Sequence, residues 1–171
     1  MRAWRVNELG HPSASLRLED VEMPEPAPGQ VRIGVEAGNV NFADILLCQG
    51  IYQDRPGVPF TPGLETAGIV EAVGDGVDLG VGARIVGMAA LPSGGYATHA
   101  LVRAPTALVV PDDIAMTEAT VLYSTYQTAH VGLHHRAQLR AGESLLVHGA
   151  ASGVGAAAVQ LGRAAGARVI A

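Results

Sequence analysis

The run Glu143–Ala171, ESLLVHGAASGVGAAAVQLGRAAGARVIA, decides the fold. It opens on Ser144-Leu145-Leu146-Val147-His148, an apolar run of strand length, and passes at once into the small residues Gly149-Ala150-Ala151-Ser152-Gly153-Val154-Gly155. From about Val154 to Ala165 the spacing predicts a helix, with Val159 and Leu161 among alanines. Gly166 stands where a helix ends on a left-handed residue, and Arg168-Val169-Ile170-Ala171 reads as a second strand. Strand, glycine-rich turn, helix and strand make up the first half of a dinucleotide-binding fold. The residue types follow from the chemistry. A turn that lets backbone approach a pyrophosphate has no room for bulky side chains, and the helix after it offers unpaired N–H groups and a positive dipole end.

Other phosphate and nucleophile motifs fail on particular residues. The G-x-G-x-x-G string is itself incomplete, because Ala150 and Ser152 stand where its first two glycines fall if Gly155 is the third. A P-loop needs Gly-Lys-Ser/Thr, and all eleven basic residues here are arginine. A nucleophile elbow needs glycine two positions either side of its serine, where Ser152 has Ala150 and Val154. The spacing Gly149…Gly153-x-Gly155 also suits short-chain reductases, but those carry it near the N-terminus and 148 residues precede it here.

Composition narrows the class further. Hydrophobic residues make up 49% of the 171 and charged residues 16%, enough for a packed core and too little charge for disorder. A net charge of −5 without a basic cluster argues against nucleic acid and anionic membrane as partners. Neither an 18-residue apolar run nor a signal-peptide pattern occurs, and Cys48 is the single cysteine, so the expectation is a cytoplasmic protein without disulfides.

Working back to the N-terminus, residues 1–116 are β-rich and punctuated by turns. Val31, Ile33 and Val35 alternate on one face of a strand that follows Pro24, Pro26, Pro28 and Gly29. Further strands are predicted at 67–73, 83–88, 94–101 and 107–110, separated by turns such as Gly74-Asp75-Gly76 and Gly80-Val81-Gly82. Short strands with frequent turns predict a compact barrel, interrupted by one or two helical turns over 42–48. From Thr117, an N-cap candidate followed by Glu118, the pattern turns helical through His135. A domain boundary is therefore expected near residue 116.

Several separated stretches, in order, carry a resemblance: Val40-Asn41-Phe42-Ala43-Asp44, Thr61-Pro62-Gly63-Leu64-Glu65-Thr66-Ala67-Gly68, Gly94-Gly95-Tyr96-Ala97-Thr98, Thr125-Tyr126-Gln127-Thr128-Ala129 and Leu139-Arg140-Ala141-Gly142-Glu143. Together with the 147–155 run they resemble the medium-chain dehydrogenase/reductase superfamily, in its zinc-free quinone oxidoreductase (zeta-crystallin-like) branch, over essentially the whole chain. The resemblance implies an α/β protein with a GroES-like β-barrel domain, 1–116, followed by an incomplete Rossmann domain, 117–171. It also implies that the chain is an N-terminal portion of a longer enzyme, inactive by itself. Zinc-dependent members bind their catalytic metal where this chain has Asn41 and Leu64, and neither amide nor alkyl replaces thiolate and imidazole. No zinc is expected.

The same resemblance implies the site. Asn41 matches a position beside the nicotinamide, Tyr52 a tyrosine lining the quinone pocket, and Thr128 a helix threonine facing the cofactor. Ala151, Ser152, Gly153, Val154 and Gly155 form the cofactor turn, and a second pocket tyrosine of some members is Leu46 here. Asn41 and Tyr52 are the catalytic candidates. Glu65 and Asp44 read as structural, His130 and His134 as solvated, and Cys48 as a small apolar helix residue. The implied activity is hydride transfer from NADPH to a quinone or α,β-unsaturated carbonyl by a homodimer. Enoyl reduction of an acyl thioester is the alternative, and a non-catalytic binding or crystallin-like structural protein the second.

Overall fold

A computed structural model describes all 171 residues, which divide into two compact units, Met1–Thr120 and Val121–Ala171. In the first unit, strand β1 (Arg2–Val6) pairs antiparallel with β2 (Leu16–Asp20) across the short helix α1 (Pro12–Ser15). Strand β3 (Gln30–Gly38) leads through helix α2 (Phe42–Cys48) to β4 (Glu65–Val73), β5 (Arg84–Met88), β6 (His99–Arg103) and the short β7 (Leu108–Val109). The last five strands form one antiparallel sheet in the order β6-β3-β4-β5-β7. Beyond β5 the chain returns to β6, where Ala90 N–H donates to the Leu101 carbonyl at 2.7 Å and Leu101 N–H to that of Ser93 at 3.2 Å. The sheet thus closes on itself as a barrel, and a closed sheet leaves no row of unpaired backbone groups.

Hydrophobic alternation sets the interior. Val31 and Ile33 of β3 meet Val70, Ile85, Ala100 and Val102, all 1% exposed or less. A fully buried side chain of this size contributes about 1.5–3 kcal/mol. A second cluster, Val6, Leu47, Cys48, Phe60 and Leu64, lies against α2. That helix holds its N-terminus with a local acid, Asp44, which accepts the Asn41 backbone N–H at 2.9 Å.

The expected strands at 31–35, 67–73, 83–88 and 107–110 and the helical turns at 42–48 are present, and the strand expected at 94–101 is met only at its end by β6, so bounds differ. Strand β6 begins at His99 rather than Gly94, because the chain from Ser93 to Thr98 bonds instead to Thr61, Pro62, Gly63 and the backbone of β1. Strands β1 and β2 are additions to the sequence reading. Helix α3 (Met116–Val121) starts before Thr117, because Glu118 reaches back to the Ala115 N–H at 3.3 Å and so caps the helix two residues earlier than a threonine N-cap at 117 would.

The second unit opens with a helical run that is not uniformly α. Wider, π-type turns over Leu122–Tyr126 and Val131–Arg136 flank the α-helical segment α4 (Gln127–His130). Strand β8 (Ser144–Leu146) then runs parallel to β9 (Arg168–Ile170), with helix α5 (Gly153–Ala164) between them in sequence. β8 is three residues long rather than five; Val147 still donates to the Ile170 carbonyl at 2.8 Å, after which the turn begins. α5 ends as expected. Gly166 has φ 78°, its N–H donates to the Arg163 carbonyl, and Ala167 N–H donates to that of Gly162, each at 3.0 Å. No helix is long and apolar enough to cross a membrane.

Candidate functional site

In the first unit the predicted residues converge on a buried polar cluster beside α2. Glu65, at the start of β4, is 1% exposed, and Asp44, in the first turn of α2, is 3% exposed. A buried carboxylate has to be hydrogen-bonded, and both are. Glu65 Oε2 accepts from Asn41 Nδ2 at 3.1 Å and from Asn39 Nδ2 at 3.0 Å. Asp44 accepts the backbone N–H of Asn41 through Oδ2 and that of Leu64, at 3.0 Å, through Oδ1. Burial pushes the Glu65 carboxyl up from its ordinary range, and the Asn39 and Asn41 amides pull it part of the way back.

Tyr96 closes the cluster. Its hydroxyl donates to the Asn39 carbonyl at 3.3 Å, and burial, then the Asp44 carboxylate, raise its pKa so that it stays a neutral phenol. Asn39 was not read as a site residue, and Tyr96 was read only as part of the Gly94–Thr98 stretch, without a role. The alternation Asn39-Val40-Asn41 is the signal for Asn39, since residues two apart in extended chain share a face. For Tyr96 no local signal exists, because its partner lies 57 residues away.

Leu64 packs in the apolar cluster at 4% exposure, so the second position of the zinc-binding pattern faces hydrocarbon. No three His, Cys, Asp or Glu side chains gather closely enough to hold a metal ion. Tyr52 lies half-buried against the same cluster, its carbonyl accepting Arg55 Nε at 3.2 Å. Asn41, through Glu65, and Tyr52, through the Leu64 cluster, therefore border the same two-residue step of chain. Cys48 is 1% exposed in that cluster, its thiol pushed up to about 11 by burial and then by Asp44. An open cleft of about 680 Å³ reaches this cluster at Val40 and Tyr96 and is lined also by Trp4 and Leu18, but neither Asn41 nor Tyr52 lines it.

In the second unit the turn between β8 and α5 has the build expected of an anion cradle. Gly149 takes φ 68°, a left-handed backbone that favours glycine. Its carbonyl accepts Ser152 N–H at 2.9 Å, and Ser152 caps α5 by accepting Gly155 N–H on Oγ at 3.1 Å. Gly155 is buried against this turn, and a Cβ there would sit 2.2 Å from the Gly149 carbonyl oxygen. Ala151, Ser152, Gly153 and Val154 are exposed, and the first bond from the helix back to its cap is Ala156 N–H to the Ser152 carbonyl at 2.8 Å. The amides of Gly153 and Val154 precede that bond and point out of a twelve-residue helix at its positive end. A pyrophosphate fits this turn, and a bulkier side chain at position 155 would prise it open.

Thr128 is exposed on α4, whereas Thr125 is buried, its hydroxyl donating to the Val121 carbonyl and its methyl packing on Gly153. His130 stands 4.8 Å, ring centre to ring centre, from His134 and 5.3 Å from His135.

Residues 27–112 match the model of the alcohol dehydrogenase GroES-like domain. A rat quinone oxidoreductase is 42% identical over 170 residues, which is 99% of this chain and 52% of that protein. A mycobacterial protein solved in complex with NADPH superposes with a TM-score of 0.90 at 35% identity, covering 99% of this chain and 52% of the other. An enoyl reductase superposes with a TM-score of 0.85 at 30% identity, covering 99% and 53%. The chain spans about half the length of the curated relatives it matches. A GroES-like barrel, a capped glycine turn opening a βαβ unit and this degree of identity together mean that the chain belongs to the medium-chain dehydrogenase/reductase superfamily, in its quinone oxidoreductase branch.

Proposed function

We propose that this chain belongs to an NADPH-dependent, zinc-independent oxidoreductase that reduces a quinone or another α,β-unsaturated carbonyl. Residues 1–116 would serve as its substrate domain and 117–171 as the start of its nucleotide domain. The observation that carries the proposal is the Gly149–Gly155 turn, packed too closely for a Cβ at Gly155, in a chain 42% identical to a quinone oxidoreductase. Bound NADPH supplies the hydride. The protein's own residues then bind, orient and exclude water.

Ala151 to Gly155 hold the pyrophosphate on the amides of Gly153 and Val154, and Ser152 keeps the turn in shape. Thr128, exposed and not bonded back to its own helix, offers a hydroxyl to the nicotinamide nucleoside. Asn41 orients the nicotinamide end or the substrate carbonyl. Tyr52 lines the substrate pocket and is placed to donate a hydrogen bond to an oxygen gaining negative charge. Without thiolate or imidazole at positions 41 and 64, hydrogen bonds take the part that a Lewis acid plays in zinc-dependent relatives.

The structural likeness to an enoyl reductase favours one other reading, reduction of an enoyl thioester. NADPH oxidation by the whole enzyme that contains this chain, followed with a panel of benzoquinone, naphthoquinone and crotonyl-thioester substrates before and after exhaustive chelation, decides between them. Quinone turnover that survives chelation is expected. Turnover confined to the thioester would select the second reading, and activity lost with stoichiometric zinc would refute the metal-free mechanism.

A further inference from the structure

Asn41 carries a side chain whose two ends are nearly the same shape and opposite in hydrogen-bonding character, so its neighbours decide which end faces a ligand. Two amides, Asn41 Nδ2 and Asn39 Nδ2, converge on one oxygen of Glu65, at 3.1 and 3.0 Å. Glu65 is 1% exposed, and its carboxylate only accepts. Turning the Asn41 amide over would set its oxygen against that carboxylate and leave the buried Glu65 Oε2 with the Asn39 bond alone, a costly exchange. The orientation is held at the other side as well. The Asn41 backbone N–H is fixed on Asp44, so the residue cannot swing away as a whole.

We infer that Glu65 is a positioning residue that holds the Asn41 carboxamide nitrogen-inward, so that Asn41 meets the nicotinamide nucleoside as a hydrogen-bond acceptor through Oδ1. The group it takes is a donor, either the carboxamide N–H₂ or a ribose hydroxyl. This rests on the reading of the chain as part of a nicotinamide enzyme, and it separates the two roles open to Asn41. An oxygen presented in this way would repel a substrate carbonyl that is gaining negative charge. Asn41 therefore orients the cofactor and does not polarise the substrate.

Two NADPH analogues test this without turnover. The 3-acetylpyridine form replaces the carboxamide amino group by methyl, and the thionicotinamide form keeps the amino group and changes the carbonyl. Affinities are measured by fluorescence titration, in the whole enzyme that contains this chain, for the wild type, Asn41→Ala, Glu65→Leu and the double variant. The wild type is expected to bind the acetylpyridine form about tenfold more weakly than NADPH and the thio form within about threefold. In either single variant that discrimination shrinks to about threefold or less, and the double variant is no weaker than Asn41→Ala alone. If the donor is a ribose hydroxyl, the wild type treats both analogues alike while the single variants weaken every ligand by one common, non-additive factor. Glu65→Leu with wild-type affinities and discrimination overturns the inference alone, as do additive effects of the two substitutions. A wild type that does not bind NADPH overturns the nicotinamide reading and this inference with it. Should Glu65→Leu fail to fold, exchange of the wild-type Asn41 side-chain amide protons by ¹⁵N NMR decides: slow exchange is expected, and free exchange refutes the lock.

Discussion

Gly155→Ala adds one methyl group at the point where helix α5 meets its own turn. The added Cβ would lie 2.2 Å from the Gly149 carbonyl oxygen and 2.9 Å from Ala150 Cα, both backbone atoms that cannot rotate away. Contacts below 3.0 Å are essentially absent from real structures, so the turn has to open by roughly 0.8 Å. Forcing backbone apart in a packed site costs about 1–3 kcal/mol. For a chain of this size a loss of about 2 kcal/mol lowers Tm by roughly 4–8 °C. The displaced atoms are those that hold the Ser152 cap and set the Gly153 and Val154 amides, so NADPH affinity should fall with stability, by about tenfold or more. Gly132→Ala is the internal control. Nothing lies within 4 Å of its Cβ position, and alanine is favoured over glycine in a helix by up to about 1 kcal/mol. Thermal melts and NADPH titration on both variants form the assay, with Gly132→Ala expected to match or exceed the wild-type Tm. If Gly155→Ala matches the wild type in Tm and in NADPH affinity, the turn is not the close-packed cradle described above.

Thr128→Val should weaken NADPH binding by about threefold to tenfold at unchanged Tm, whereas Thr125→Val, which removes a buried hydroxyl bonded to Val121, should lower Tm; the reverse pattern would mean the wrong threonine has been assigned to the cofactor. Tyr52→Phe, assayed in the protein that turns over quinone, should raise KM and lower kcat by less than about tenfold, and a hundredfold fall in kcat with folding intact would make the phenol a proton donor rather than a pocket wall. Cys48 keeps its proton to higher pH in the folded chain than in the unfolded one, so its contribution to stability is complete below about pH 9 and is lost as pH rises toward about 11. Urea midpoints from pH 8 to 11 should fall less steeply in Cys48→Ala than in the wild type, and native Cys48 should react with a disulfide reagent at pH 8 about a hundredfold more slowly than the unfolded chain, with parallel profiles or equal rates contradicting its burial.

Local chemistry made part of this molecule readable. Helix α5, its capped start at Ser152 and its glycine stop at Gly166 each depend on residues within one turn of each other, which is why spacing alone located them. Helix α2 was readable for the same reason, its first turn being held by Asp44 three residues from Asn41. The polar cluster was not, because its bonds span 24 and 26 residues from Asn41 and Asn39 to Glu65 and 57 from Tyr96 to Asn39. Resemblance to a family supplied Asn41 without supplying what turns its amide. Strand β1 was hidden for another reason. Its buried residues are Ala3 and Val6, an odd spacing that no simple alternation produces, because Ala3 meets Ala97 while Val6 bridges to Phe60. Strand β2 has no fully buried residue at all, so its pattern carries no signal.

Strand β8 shows where a correct reading still left a physical question open. An apolar run such as Leu145-Leu146-Val147 indicates a strand covered on both faces, as parallel sheets usually are, but cannot say what covers each. The structure resolves one face. Leu145 and its register partner Val169 turn toward α5, where glycine at position 162 is the consequence, since a Cβ there would fall 2.5 Å from Leu145 Cδ2 and 3.2 Å from Val169 Cγ2. Helix and strands meet closely enough that the helix gives up a side chain to let them. Leu146 and Ile170, paired with each other in the next register position, turn the opposite way and remain 58% and 46% exposed. Alternation along the strand forces this split, because no rotation of a strand can bury neighbouring side chains on one face. The small residues of α5 and the apolar residues of β8 therefore express one constraint. The helix sits close on the sheet at Gly162 and close on the turn at Gly155, and it is this double approach that brings its N-terminal amides to the mouth of the turn.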